Sequence, residues 1–136
     1  MRRPCSDSWR KSLEKLLDKP ATRDLLEGFS ALVEELISSL RPLAILVAGS
    51  LARGRFVRGM SDIDLLVLTE EPPSKRDRFR LVNVGGVDVE ITVFGFEEAL
   101  RSAEEGNFFV RDALENGIVI YQVRGIPRPG GSGGDR

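Results

Sequence analysis

The chain has 136 residues, 41% hydrophobic and 30% charged, with a net charge of −1. This length suits one domain with its own core, and the near-neutral balance gives no strong signal for nucleic acid or a membrane surface. The lack of histidine and the single cysteine, Cys5, exclude Ser-His-Asp and Cys-His nucleophile systems, histidine-ligated zinc, histidine general bases and an internal disulfide.

Residues 1–7 read as a short polar lead. Ser8 is placed to cap a helix reaching about Asp18, because Trp9, Leu13, Leu16 and Leu17 recur at helical spacing. Lys19-Pro20 breaks it. The next helix carries one apolar stripe: Leu25, Leu26, Phe29, Leu32, Val33, Leu36, Ile37 and Leu40. Thr22 is its expected N-cap and Pro42 its stop. Such a stripe packs on a sheet; its other use is a partner-binding face.

Residues 43–48 are continuously apolar, as expected of a buried central strand. Gly49-Ser50 follows, then a short helix over 51–54 and a loop over 54–61. Residues 63–68 form the second strand, and Pro72-Pro73 ends its trailing turn. Lys75, Arg76, Arg78 and Arg80 make a basic connection. It reads as surface charge, with an acceptor groove as the functional alternative.

Residues 79–84 and 87–94 are two strands joined by Gly85-Gly86, a hairpin signal. A helix over 96–105 follows, then one capped by Asn107 and stopped by Asn116-Gly117, then a strand over 118–123. Gly and Pro dominate from Gly125, which predicts a disordered tail over 125–136. The expected architecture is one α/β (α+β) domain over 1–124 with a mixed sheet, N-terminal helices over 1–41 and a core over 43–124. With no signal-peptide pattern and no long apolar segment, the expected location is cytoplasmic.

Chemistry in this chain falls to carboxylates, Lys and Arg, hydroxyls, backbone and bound ions. Asp62 and Asp64 lie two apart on or entering a strand, so their side chains point the same way. Adjacent carboxylates repel, and a divalent cation removes the repulsion. The pair therefore suits hard cations such as Mg2+ better than an acid/base dyad. Alone, strand-end aspartates often simply meet solvent.

Gly49 permits close backbone approach after the first strand. Ser50 at the next helix start is placed to cap it while free N–H groups face an anion, as a triphosphate requires. A third carboxylate is expected from Asp88 or Glu90, which share one face of their strand. Glu90 is favoured, because it sits in the apolar heart of the strand. Arg53, Arg55 and Arg58 lie close to Gly-Ser and are candidates for phosphate, with a solvated loop as the plain alternative.

Gly49-Ser50-Leu51-Ala52-Arg53-Gly54, followed by Ser61-Asp62-Ile63-Asp64-Leu65, resembles the nucleotidyltransferase superfamily that includes DNA polymerase β. More narrowly it is similar to the minimal nucleotidyltransferase (MNT) proteins. The likeness is close over 43–68 and loose over 87–123. Eleven residues separate Ser50 from Asp62, one more than in many minimal members. The larger enzymes' second, acceptor-holding domain has no counterpart here.

The resemblance implies a polymerase β palm-like fold and Mg2+-dependent transfer of a nucleoside monophosphate, AMP from ATP first among the candidates. The acceptor would be a protein or small-molecule hydroxyl. Asp62 and Asp64 would hold two Mg2+ ions, with Glu90 or Asp88 completing the second and helping remove the proton. The Gly49 backbone and Ser50 would grip the β/γ phosphates, and Arg53 and Ser61 join the nucleotide-binding set.

Minimal members are often paired with a helical HEPN protein as a toxin–antitoxin system, so such a protein is the expected partner. The alternative function is a non-catalytic nucleotide- or partner-binding module that masks a helical partner. A homo-oligomer through the sheet edge or the first two helices is also open. No aromatic, Asn or Gln stands out near the motif as a base reader.

Overall fold

The computed structural model describes residues 8–123; the polar lead, Cys5 and the expected tail over 125–136 lie outside them. The elements are α1 (Ser8–Leu16), a 3-10 turn (Arg23–Leu25), α2 (Leu26–Leu40), β1 (Ala44–Ala48), α3 (Gly49–Ala52) and β2 (Ile63–Thr69). There follow β3 (Phe79–Val84), β4 (Val87–Gly95), α4 (Phe96–Glu104), α5 (Phe108–Asn116) and β5 (Ile118–Gln122). Among the described residues no helix is long and apolar enough to cross a membrane.

Strand alternation decides what each face of the sheet does. Ile45 and Val47 of β1, Ile63, Leu65 and Val67 of β2, and Val87, Val89, Ile91 and Val93 of β4 all enter one core. That core is closed by Trp9, Leu13 and Leu17 from the α1 region and by Phe29, Leu32, Val33 and Leu36 from α2. The expected stripe on α2 therefore packs on the sheet. The opposite parity, Ala44, Leu46, Ala48, Leu66 and Leu68, meets Ala99, Ala103, Val110, Ala113 and Leu114 of α4 and α5. Both faces of β1 are covered, which is why its five residues are all buried.

The sheet is mixed, with strand order β3-β4-β2-β1-β5. β1 runs antiparallel to β2 and β5, β3 antiparallel to β4, and β2 parallel to β4. The last pairing fixes where chemistry can assemble. Because β2 and β4 are parallel, both begin at the same edge of the sheet. Because β1 is antiparallel to β2, β1 ends there. The Gly49-Ser50 turn and the first residues of β2 and β4 therefore meet without any long loop. The β3–β4 hairpin turns on Gly85 and Gly86, both at positive φ (57° and 88°), as expected from the sequence.

Two local expectations are corrected. Thr22 does not cap α2. It is buried, and its Oγ1 donates to the Leu17 carbonyl at 2.9 Å, satisfying the end of α1, which closes at Leu16 rather than Asp18. The 3-10 turn then leads into α2 with no side-chain cap. Asn107 does cap α5, accepting from the Val110 amide at 3.1 Å.

The basic connection is largely structural. Arg78 pairs with Glu98 through both guanidinium Nη atoms, at 3.0 and 2.8 Å, and lies over the Phe94 ring. Glu98 also accepts from the Gly95 amide, so the same carboxylate closes the start of α4. Arg80 pairs with Glu35 on α2 at 2.8 Å. Only Lys75 and Arg76 of this run keep to a turn on the surface.

Thr22→Val keeps the volume and deletes the donor, leaving the Leu17 carbonyl without this partner. The expected loss is about 1–2 kcal/mol, read in urea unfolding as a lower midpoint with an unchanged slope.

Candidate active site

Strand parity carries the carboxylates to the face that α4 and α5 only partly cover. Ile63, Leu65 and Val67 point into the α1/α2 core, so Asp64 points the other way, with Leu66 and Leu68. In β4, Val89 and Ile91 are buried and Glu90 alternates with them. The ladder then aligns four residues across four strands. Ala48 pairs with Asp64, Asp64 with Glu90, and Glu90 with Leu81. Asp62 sits exposed just before β2 begins.

This row puts negative charges beside one another in a half-buried place. The Asp64 carboxyl is pushed up from 3.8 to about 6. Burial is the largest cause, followed by the charge of Glu90, the charge of Asp62 and a hydrogen bond with Glu90. Glu90, not Asp88, is thus the β4 carboxylate whose charge acts on Asp64. Asp88 lies one step toward the hairpin, where Asn83 Nδ2 donates to its Oδ1 at 3.0 Å. Among the described residues no group of three or more acidic, His or Cys side chains stands converged in metal-holding geometry. The three carboxylates are neighbours whose side chains must turn inward to share an ion.

Gly49 is built against Asp64. Its φ is +71°, and a Cβ there would collide with the Asp64 Oδ2 atom. An L side chain would be strained by the backbone conformation and would have to push the Asp64 carboxylate aside. Ser50 is not the helix cap expected from the sequence. Ala48 takes that position in extended conformation and makes no side-chain cap bond, so Ser50 lies within the first turn of α3. Its hydroxyl is therefore not committed to capping.

The arginines divide. Arg53 Nη2 donates to Asp112 Oδ1 on α5 at 2.6 Å, and Asn116 Nδ2 donates to the same oxygen at 2.9 Å. These residues pack beside Ala48 and Gly49, in a seam that leaves no cavity. The pair latches α3 and its Gly-Ser turn to α5. Arg58 is a clamp, with both guanidinium Nη atoms on Asp24 (2.9 and 3.0 Å) and further bonds to the Ala21 and Gly85 carbonyls. It is drawn away from the turn. Arg55 is exposed.

Ser61 closes its own loop, since its Oγ accepts from the Val57 amide at 3.0 Å. That bond holds the approach to Asp62. Sequence reasoning missed Asp112 and Asn116, which stand more than fifty positions from Gly49. Their spacing of four along a helix was the only signal. A recess of about 580 Å3 lies elsewhere, between α1 and the turn into α2. Its lining mixes Lys11, Lys15 and Arg23 with Glu14 and Asp18, so cavity size does not locate the chemistry.

A five-stranded mixed sheet flanked by helices, with strand-end carboxylates facing a Gly-Ser turn, is the arrangement of a nucleotidyltransferase fold. Residues 29–120 match the family model described as a nucleotidyltransferase domain, well over half of the chain. The chain belongs to that family. α1 lies before the matched span. The chain matches no curated protein.

Asp64→Asn separates the electrostatics from packing. Asp64 is protonated more readily folded than unfolded, so stability falls as pH rises from about 4 through 6 and then levels. A two-unit shift is worth about 3 kcal/mol before screening, and roughly half that for a half-exposed group. The metal-free variant should therefore exceed wild type by about 1–2 kcal/mol near pH ~8 and by little near pH ~4, measured by thermal or urea unfolding in chelator.

Proposed function

We propose that the chain transfers a nucleoside monophosphate, AMP from ATP in the first instance, to a hydroxyl of a protein or small molecule. The observation that carries this reading is the Asp64 carboxyl, raised to about 6 between Glu90 and Asp62 and packed against Gly49. Three oxygen donors with unrelieved mutual repulsion suit a hard divalent cation. Asp62, Asp64 and Glu90 would hold two Mg2+ ions, whose chemistry is to neutralise phosphate charge and acidify the acceptor hydroxyl.

The residues divide the work by position. The Gly49 backbone and the Ser50 hydroxyl hold the β/γ phosphates. The acceptor oxygen forms a bond to the α-phosphorus, the bond to the bridging oxygen breaks, and pyrophosphate leaves. Glu90 takes the hydroxyl proton. Positioning and charge neutralisation supply most of the acceleration in such transfers. Arg53, held by Asp112, sets the pose of the turn, and Ser61 holds the loop that delivers Asp62.

The Gly-Ser…Asp-x-Asp motif supports an MNT-type protein, with a helical HEPN-type protein as partner and acceptor and a toxin–antitoxin role for the pair. The competing reading, a non-catalytic masking module, leaves the strained features unexplained. Neutralising Asp64 would stabilise such a module, and nothing in masking a helical partner requires a positive-φ turn laid against a carboxylate.

The test is label transfer from α-labelled ATP, with Mg2+, to a helical protein encoded beside this one, together with Mn2+ and ATP binding by thermal shift. Asp64→Asn should abolish transfer. Glu90→Gln should lower the rate by ~100-fold or more while Asp88→Asn stays near wild type. A wild-type chain that neither transfers label nor binds ATP or metal defeats the catalytic reading, and equal losses in the Glu90 and Asp88 variants defeat the choice of Glu90.

A further inference from the structure

We infer that the free edge of β3 is the docking strand for a polypeptide acceptor, which binds by adding an extended segment to the sheet. The inference rests on the nucleotidyl-transfer reading above. The row of paired residues Ala48, Asp64, Glu90 and Leu81 crosses the sheet and ends on β3. The Gly49-Ser50 turn follows Ala48, so the triphosphate takes that end of the row. In-line attack comes from opposite the departing pyrophosphate. The acceptor therefore enters from the Leu81 end, past Glu90.

The edge offers backbone and side chains together. The Val93 amide donates to the Arg78 carbonyl at 2.8 Å, and Phe79 pairs with Thr92 at the next step of the ladder. Antiparallel pairs alternate between bonded and unbonded, so Arg80, Val82 and Val84 bond to β4. Phe79, Leu81 and Asn83 turn their N–H and C=O groups outward. Cross-strand partners share a face, which sets the side chains of these three residues on the side of Thr92, Glu90 and Asp88. Phe79 is 52% and Leu81 57% exposed. α4 packs over β4 and β2, and among the described residues the core beneath it takes no side chain from β3.

Sheet edges are ordinarily protected by charge, proline or a bulge. β3 has no proline, its register with β4 is unbroken, and its one charge, Arg80, is drawn to Glu35 on the opposite face. An edge left in this state suits strand addition, in which main-chain hydrogen bonds give affinity and alternate side chains seat the peptide. Lys75 and Arg76 lie exposed just before the edge. The segment that fits is apolar, with acidic residues at that end.

The test uses the full chain and a short synthetic peptide that alternates valine with serine, threonine and tyrosine and carries glutamates at one end. Without nucleotide, the peptide should slow amide hydrogen exchange at Phe79, Leu81 and Asn83, while Arg80, Val82 and Val84 are already slow without it. Phe79→Lys stands opposite Thr92, away from the carboxylates, and should weaken the peptide by about tenfold. Mn2+ and ATP binding should not change. Leu81→Pro removes an outward N–H that β4 does not use and should weaken the peptide as well. In label transfer to the peptide, Phe79→Lys should raise KM and keep kcat. A peptide that leaves the three outward amides unprotected overturns the inference, and intact ATP and Mn2+ binding then keeps the transfer reading. So does a wild-type chain that sediments as a dimer and a Phe79→Lys chain that sediments as a monomer, because a second copy then holds the edge. A wild-type chain that protects these amides but binds neither ATP nor Mn2+ overturns the transfer reading and the acceptor role with it.

Discussion

The contact between Gly49 and Asp64 is the constraint on which the site depends. A chain leaving β1 must turn at once to begin α3, and it does so with its backbone laid against a carboxylate of the neighbouring strand. A residue with a Cβ would be strained in that conformation and would displace the carboxylate. The close approach half-buries Asp64. The parallel register of β2 and β4 then sets Glu90 directly beside it. Burial and like charge act in the same direction on one group, which is why its proton affinity departs so far from ordinary.

The fold supports this arrangement by separating its two cores. The face with α1 and α2 takes the large aliphatic side chains of β2 and β4 along their whole length. The face with α4 and α5 is built from smaller residues, alanines among them, and thins out toward the carboxylate edge. Ala48 opposite Asp64 continues that economy of volume.

Much of this was legible in the sequence, because strands announce themselves by alternation. The parity of Ile63 and Leu65 assigned Asp64 to the other face, and Gly85-Gly86 located the hairpin. The strand-like heart of β4 also favoured Glu90 over Asp88. What the sequence did not carry was partner choice among polar groups. Thr22, Ser50, Ser61, Arg53 and Arg58 each lie where local rules suggest a cap or a phosphate ligand. Thr22, Ser61, Arg53 and Arg58 are instead spent on a carbonyl, an amide or a carboxylate, for the two arginines one brought close by tertiary packing. Ser50 simply falls one residue inside its helix. Hydrogen-bond partners at long sequence separation leave no periodic trace.

The Arg58 clamp has a thermodynamic side. The stretch from Gly54 to Ser61 has no strand or helix of its own. Left to itself it would sample many conformations, and Asp62 would be delivered to the site at an entropic cost on every encounter. Arg58 ties its middle to the connection between α1 and α2 and to the β3–β4 turn. The ordering is thus prepaid during folding, by a segment that begins before the family's matched span. The N-terminal residues act as a pre-organising brace for the loop, at a distance from any reacting atom.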